Sequence, residues 1–360
     1  MKILFVITSL GMGGAEHMVT SLADELASRK NDVKIIYLTG DAIVKPKNKL
    51  IELIPIDMKS SRDFIKAYHV IRNTIKSYKP DIVHSHMYHA NIISRLVRLS
   101  TDIPKLICTS HSSNEGGKLR MLSYRFTQRL ADLSTNVSHD AVSSLIAKGA
   151  VKENNIVCIP NGVDTDKFSR DYIARETKRK QLDIGNKMMI LAVGRFHEAK
   201  DYPNLLQSIS RLSKIRDDFK LYIIGEGPLK EDIVKLSEQL KISEFIEFLG
   251  ERNDIRELMS ACDLYVMSSA WEGLPMVILE AMSTECVIVS TDCGGVAEAL
   301  GTAGFLVEPK NSIALSNIIN HTLNLPLNER KYLGKAARQR VEDSFSLSSN
   351  VNAYLEIYIS

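Results

Sequence analysis

One pattern constrains this 360-residue chain more than any other: short runs of Val, Ile and Leu alternate with longer amphipathic segments from one end to the other. In the front half the runs are Lys2–Thr8, Val33–Leu38, Leu50–Ile56, Ile82–His84, Lys105–Ser110, Ser134–Val137 and Ile156–Ile159. Between most of them lie stretches of helical period such as Glu16–Arg29, Arg62–Tyr78 and Leu119–Ala131. The back half repeats the pattern with Met188–Val193, Leu221–Ile224, Ile246–Leu249, Leu264–Met267, Val287–Ser290 and Phe305–Val307, and with helices predicted over Tyr202–Ile215, Leu229–Leu240 and Ile313–Leu323. Near-continuous apolar strands separated by helices mean parallel sheets covered on both faces. The fold class is therefore α/β, doubly wound, twice over.

The break between the halves falls near Asn161-Gly162-Val163-Asp164, followed by a polar linker with a short helix to about Gly185. This predicts domains over residues 1–163 and 164–345, and a last helix over 346–360 packing on either one. At 44% hydrophobic and 25% charged residues the composition is that of a globular protein, not a disordered or disulfide-scaffold chain. No apolar stretch approaches the ~20 residues of a membrane-spanning helix, and the run Ile3–Ile7 leads into a glycine loop, not a signal-peptidase site. The five scattered cysteines form no CxxC pair and read as free buried thiols of a cytoplasmic protein. Charge is uneven: residues 1–165 carry 22 Lys and Arg against 15 Asp and Glu, whereas residues 166–360 carry 24 against 28. The front half is the one suited to an anionic surface. It lacks the interleaved aromatic and basic residues of a nucleic-acid site.

Three glycine turns follow strands. The first strand leads into Gly11-Met12-Gly13-Gly14-Ala15-Glu16 and then a helix. Glycines there let backbone N–H groups approach a ligand at a helix N-terminus. The spacing is not GxGxxG and no acidic residue closes the second strand, which speaks against a dinucleotide dehydrogenase. The strand Met188–Val193 leads into Gly194-Arg195, with Lys200 five residues on. Two cations at the carboxyl end of a first strand face the crevice where such sheets bind ligands, and suit a diphosphate. Gly225-Glu226-Gly227-Pro228 closes the next strand and keeps bulk away from the same crevice.

Glu272 and Glu280 bracket Gly273-Leu274-Pro275. Pro275 suits the first turn of a helix, which puts Glu280 about one and a half turns in and Glu272 in the preceding loop. Carboxylates so placed accept hydrogen bonds from sugar hydroxyls, and Gly273 opens backbone N–H groups to an anion. Paired-carboxylate hydrolysis is the weaker reading, because a glycosidase has no need of phosphate-binding features. His84 closes one strand, and His86 and His89 follow it on a ligand-facing loop. No carboxylate or cysteine nearby completes a metal site. His111 lands at the carboxyl edge of the strand Lys105–Ser110, where it can meet a sugar hydroxyl or a reacting oxygen. No Gly-x-Ser-x-Gly elbow is present.

Taken together, Gly13 to Glu16, His111, Ile159-Pro160-Asn161-Gly162-Val163-Asp164, Gly194-Arg195 with Lys200, Gly225 to Pro228 and the Glu272/Glu280 pair resemble the retaining glycosyltransferases of family 4, which have the GT-B fold. The resemblance covers nearly the whole chain. It implies two Rossmann-like domains facing each other across a cleft, with a nucleotide-sugar donor held mainly by the C-terminal one and the acceptor by the N-terminal one. It assigns Arg195 and Lys200 to the diphosphate, Glu280 to the ribose, and Glu272 with Gly273, Leu274 and Pro275 to the donor sugar. Gly194, Gly225, Gly13, Gly14 and Glu16 line the donor site, His111 sits beside the transferred sugar, and His86 and His89 lie toward the acceptor. It further implies a last helix crossing back onto the N-terminal domain. Where family members often carry Gly after the phosphate lysine, this chain has Asp201, and its Glu115-Gly116-Gly117-Lys118 segment matches no diagnostic pattern.

The activity so implied is retaining, metal-independent transfer from a UDP-sugar to a saccharide acceptor, expected to be lipid-linked, in surface polysaccharide assembly (O-antigen, capsule or exopolysaccharide). GDP-mannose is the alternative donor. The resemblance calls for no metal, and no cofactor is expected. Basic amphipathic segments, Lys59 to Lys79 and Lys118 to Arg129, suit an anionic surface on the cytoplasmic face of the inner membrane. The competing readings are a GT-B nucleotide-sugar epimerase, which releases nucleotide without an acceptor, and a non-catalytic nucleotide-sugar-binding assembly protein.

Overall fold

The computed structural model describes residues 1–112 and 116–360, so Glu115 lies outside the described residues. The chain forms two compact units, Met1–Gly162 with Leu347–Ser360, and Val163–Ser346.

In the first unit, β1 (Lys2–Ser9), β2 (Asp32–Thr39), β3 (Glu52–Pro55), β4 (Ile82–His86), β5 (Lys105–Ser110), β6 (Leu133–Asn136) and β7 (Ile156–Cys158) form one parallel sheet in the order β3-β2-β1-β4-β5-β6-β7. Ile3 through Ile7 are all fully buried, as a strand covered on both faces must be. Leu4 and Val6 pack with Ile71 and Ile75 of the helix Phe64–Tyr78 and with Ile93 of the helix Tyr88–Val97. Strand order reverses between β1 and β4, and the glycine loop after β1 and His86 at the end of β4 lie at that switch point. The run Leu50–Ile56 yields only four strand residues. β3 is an edge with one neighbour, and Leu50 is left exposed. β4 runs two residues past its apolar run, because ladder pairing continues through His86 to Ile7 and Thr109. The segment predicted as one helix over Leu119–Ala131 is a helix over Lys118–Thr127 followed by a tighter turn over Gln128–Leu130.

The last helix, Leu347–Ile359, belongs to this unit. It buries Val351, Tyr354 and Tyr358, and Asn350 Nδ2 donates to the Pro160 carbonyl at 2.6 Å.

In the second unit, β8 (Met188–Val193), β9 (Phe219–Ile224), β10 (Ile246–Gly250), β11 (Leu264–Met267), β12 (Ile288–Thr291) and β13 (Phe305–Val307) form a parallel sheet in the order β10-β9-β8-β11-β12-β13. Ile190, Leu221, Ile223, Val266 and Val289 pack with Leu205, Leu206 and Ile209 of the helix Tyr202–Leu212. The order again reverses beside the first strand of the unit, between β8 and β11. The linker helix Tyr172–Gln181 starts on the Asp171 side chain. It is held by Arg175 and Arg179, which pair with Asp263 at 2.5 and 2.8 Å. All five cysteines are free. No helix among the described residues is long and apolar enough to cross a membrane.

Candidate functional site

In the second unit the site residues gather at the carboxyl ends of β8, β9, β11 and β12. β8 ends at Val193 and the chain turns at Gly194, whose carbonyl accepts a hydrogen bond from Tyr202 Oη at 2.8 Å. Gly225 follows β9 with φ +144°, and a Cβ there would lie 2.1 Å from the Gly194 carbonyl oxygen. Only glycine allows these two turns to touch. A Cβ on Gly194 would meet the Lys200 side chain at 3.0 Å, so the lysine stem passes over this turn.

Lys200 ends the short turn Glu198–Lys200, and its Nζ lies 2.6 Å from Glu272 Oε1. Ser269 Oγ donates to the same oxygen at 2.8 Å. Backbone contacts fix the two loops together: Ala270 N donates to Ala199 O at 2.7 Å, and Ser268 Oγ to Lys200 O at 2.8 Å. Asp201 has φ 43°, the left-handed region that glycine favours. An aspartate tolerates that backbone and here caps the next helix through Asn204 N. Arg195 is exposed, and its side chain makes no hydrogen bond or ion pair among the described residues.

Glu272, Gly273 and Leu274 lead into the helix Met276–Ser283. Pro275 sits just before the helix with extended ψ, one step outside the first turn expected for it. Glu280 is the fifth helical residue and is half-buried. Burial pushes its carboxyl up to about 7 against the opposing pull of Lys167. Its carboxylate finds no hydrogen-bond partner among the described residues, leaving its acceptor capacity open. Sequence reasoning missed Gly294 and Gly295, which hold this loop from the end of β12. Gly294 has φ +56°, a Cβ there would lie 2.3 Å from the Glu272 carbonyl oxygen, and Gly295 N donates to the Gly273 carbonyl at 2.6 Å. The signal is a Gly-Gly pair that follows the run Val287–Ser290 after Thr291, Asp292 and Cys293.

In the first unit, Gly13 precedes the helix Gly14–Ser28, and a Cβ on it would lie 2.3 Å from Glu16 Oε2. The Glu16 carboxyl is buried and accepts from Ser9 Oγ at 2.9 Å, and burial raises its pKa. Glu16 thus shapes the glycine loop from beneath, where the sequence placed it among donor-lining groups.

His111 follows β5, and its Nε2 lies 3.1 Å from His86 Nδ1. Burial holds His111 down to about 4 and holds His86 well below the ordinary imidazole range, so both rings are neutral at neutral pH. His86 is not on a loop: it is a fully buried strand residue whose ring lies 4.1 Å from that of His84 between centroids, tilted by 38°. His89 is separate from them, exposed on the helix Tyr88–Val97.

Comparisons with known proteins follow the same division. The family model described as "Glycosyl transferases group 1" matches residues 174–340, and that described as "Glycosyltransferase Family 4" matches residues 12–167. A UDP-Gal:alpha-D-GlcNAc-diphosphoundecaprenol alpha-1,3-galactosyltransferase of Escherichia coli is 26% identical over 84% of this chain and 80% of its own. A GalNAc-alpha-(1->4)-GalNAc-alpha-(1->3)-diNAcBac-PP-undecaprenol alpha-1,4-N-acetyl-D-galactosaminyltransferase of Campylobacter jejuni is 27% identical over 99% of this chain and 98% of its own. The solved structure of a glycosyltransferase from Rickettsia africae superposes with a TM-score of 0.86 at 26% identity, covering 99% of this chain and 97% of that one.

Proposed function

This chain belongs to the family 4 glycosyltransferases with the GT-B fold, and we propose on that premise that it moves a sugar from UDP to a lipid-linked saccharide with retention of configuration. The observation that carries the donor half is the Lys200–Glu272 pair beside the Gly194 turn, with Arg195 open and the Glu280 carboxylate unpartnered. Arg195 and Lys200 meet the diphosphate and stabilise the charge that grows on it as the C1–O bond to phosphate breaks. Glu280 accepts from the ribose hydroxyls, and Glu272 and the backbone from Gly273 to Pro275 hold the sugar. His111 lies against the transferred sugar. The acceptor oxygen bonds to C1 on the face the phosphate leaves, and its proton passes to the departing phosphate oxygen. No side chain is needed as a covalent nucleophile, and no metal takes part.

The donor and acceptor classes rest on the relatives, whose names give UDP-Gal and undecaprenol diphosphate-linked acceptors. The setting proposed is surface polysaccharide assembly on the cytoplasmic face of the membrane. The helix Lys118–Thr127 supports membrane contact: Met121 and Tyr124 are buried while Leu119 and Phe126 are 83% and 75% exposed, among Lys118, Arg120 and Arg125. Exposed apolar residues amid cations suit an anionic bilayer.

The test is to incubate the purified protein, in EDTA, with a panel of UDP-sugars and GDP-mannose and undecaprenyl diphosphate-linked saccharides. Expected is an acceptor heavier by one hexose or N-acetylhexosamine, with an α-anomeric proton coupling by NMR. An inverted linkage or a need for metal would overturn the mechanism. UDP release without acceptor would indicate an epimerase, and binding without turnover an assembly protein.

A further inference from the structure

Lys200 Nζ and Ser269 Oγ donate to one and the same oxygen, Glu272 Oε1, at 2.6 and 2.8 Å. The direction of the serine bond is fixed, because a carboxylate paired with an ammonium only accepts. The two donors differ in how far they can move. Lys200 carries its charge at the end of a flexible four-carbon stem. Its backbone is tied to the loop after β11: the Ala199 carbonyl accepts from Ala270 N at 2.7 Å, and the Lys200 carbonyl from Ser268 Oγ at 2.8 Å. Movement of the ammonium is therefore a matter of side-chain torsions alone.

Ser269 has no such freedom. It is fully buried and lies two residues past the end of β11. The ladder between β11 and β12 runs as far as Met267 opposite Ser290. Thr291, the last residue of β12, then adds a side-chain bond of its own, from Oγ1 to the Ser269 carbonyl at 2.6 Å. That bond holds Ser269 to the neighbouring strand, and the short side chain leaves its hydroxyl only the turn about χ1.

We propose that Ser269 is the positioning residue for Glu272: when Lys200 turns from the carboxylate to the donor diphosphate, Ser269 stays on Oε1 and keeps Glu272 aimed at the sugar. The proposal rests on the reading that Lys200 serves the diphosphate and Glu272 the donor sugar. Within it, the lysine is the partner that is exchanged on donor binding and the serine the one that is kept. Thr291 acts one step further out, on the backbone of Ser269.

The test compares UDP affinity by titration calorimetry with kcat and KM for the UDP-sugar that the full-length wild type transfers. In Ser269→Ala, UDP affinity stays within about twofold of wild type while kcat falls about tenfold or more, the scale of a lost hydrogen bond to a charged group. Ser269→Cys keeps a weak donor at the same place and restores part of kcat. In a Glu272→Ala background, Ser269→Ala lowers kcat by less than about twofold further, because no carboxylate is left to hold. An unchanged kcat in either folded Ser269 variant would overturn the proposal. So would a fall in UDP affinity that matches the fall in kcat, or an equal loss with and without Glu272, since either outcome means a general loosening of the loop. A kcat unaffected by Glu272→Ala itself would remove the sugar-site reading on which the proposal stands, and is told apart from failure of the serine alone by that single variant.

Discussion

Lys200 Nζ lies 2.6 Å from Glu272 Oε1, so the cation assigned to the donor phosphates is held by the carboxylate assigned to the donor sugar. Both side chains are largely buried, at 19% and 16% exposure, and each limits the other's freedom. On the proposed assignment, UDP competes with Glu272 for Lys200.

Lys200→Ala removes a charged donor to the diphosphate and leaves Glu272 without its cation. A hydrogen bond to a charged group contributes about 1.5–3 kcal/mol, so UDP affinity falls roughly 10- to 100-fold. Glu272→Gln acts differently: it frees Lys200, and UDP binds at least as tightly while sugar transfer falls. Titration calorimetry with UDP and turnover of the UDP-sugar separate the two. Unchanged affinity in Lys200→Ala would remove it from the phosphate site.

Gly294→Ala places a Cβ 2.3 Å from the Glu272 carbonyl at a φ of +56°. Left-handed strain alone costs about 1–3 kcal/mol. Gly40→Ala isolates that part, because Gly40 has φ +71° with nothing within 4 Å of its Cβ position. Chemical denaturation is expected to show a larger loss for Gly294→Ala, accompanied by loss of transfer that Gly40→Ala does not share.

Glu280 titrates at about 7 in the folded protein against 4.5 when free. The folded state therefore binds this proton more tightly. The stabilisation is fully present below about pH 4.5 and is lost as pH rises through 7. It amounts to about 1–3 kcal/mol after allowing for its partial exposure. Glu280→Gln is expected to flatten the fall in stability between these limits, measured by denaturant unfolding at several pH values. Ribose hydroxyls donating to the carboxylate favour its ionised form, so UDP binding near pH 6 releases a proton from the wild type and not from the variant.

Leu119→Ser with Phe126→Ser removes exposed apolar surface and no packing, because both side chains point away from the buried Met121 and Tyr124. Folding stability should change by less than about 0.5 kcal/mol, while co-sedimentation with anionic liposomes drops. Undiminished sedimentation would place membrane contact elsewhere.

Much of this was legible in the residues. β1 and β8 were readable because a strand buried on both faces has to be continuously apolar, and the turns at Gly194 and Gly225 because backbone contact there excludes a side chain. β4 was truncated in the sequence reading because Ser85 and His86 are polar, and only the ladders to β1 and β5 carry the strand through them. For the same reason the pattern around His86 predicts a loop where the strand continues. The carboxyl of Glu16, which the resemblance places at the donor site, lies against Gly13 and accepts from Ser9 Oγ.

The sequence by itself determined the two doubly wound sheets, the positions of the glycine turns and the charges at the carboxyl ends of the strands. These follow from period, burial and backbone sterics, which act over a few residues. Only the tertiary structure decided the pairing of Lys200 with Glu272, 72 residues apart, the bracing of their loop by Gly294, and the clustering of His84, His86 and His111, with Tyr358 bonded to His84. Those contacts depend on which strand ends are neighbours in the sheet, and strand order is set by the packing of the whole unit.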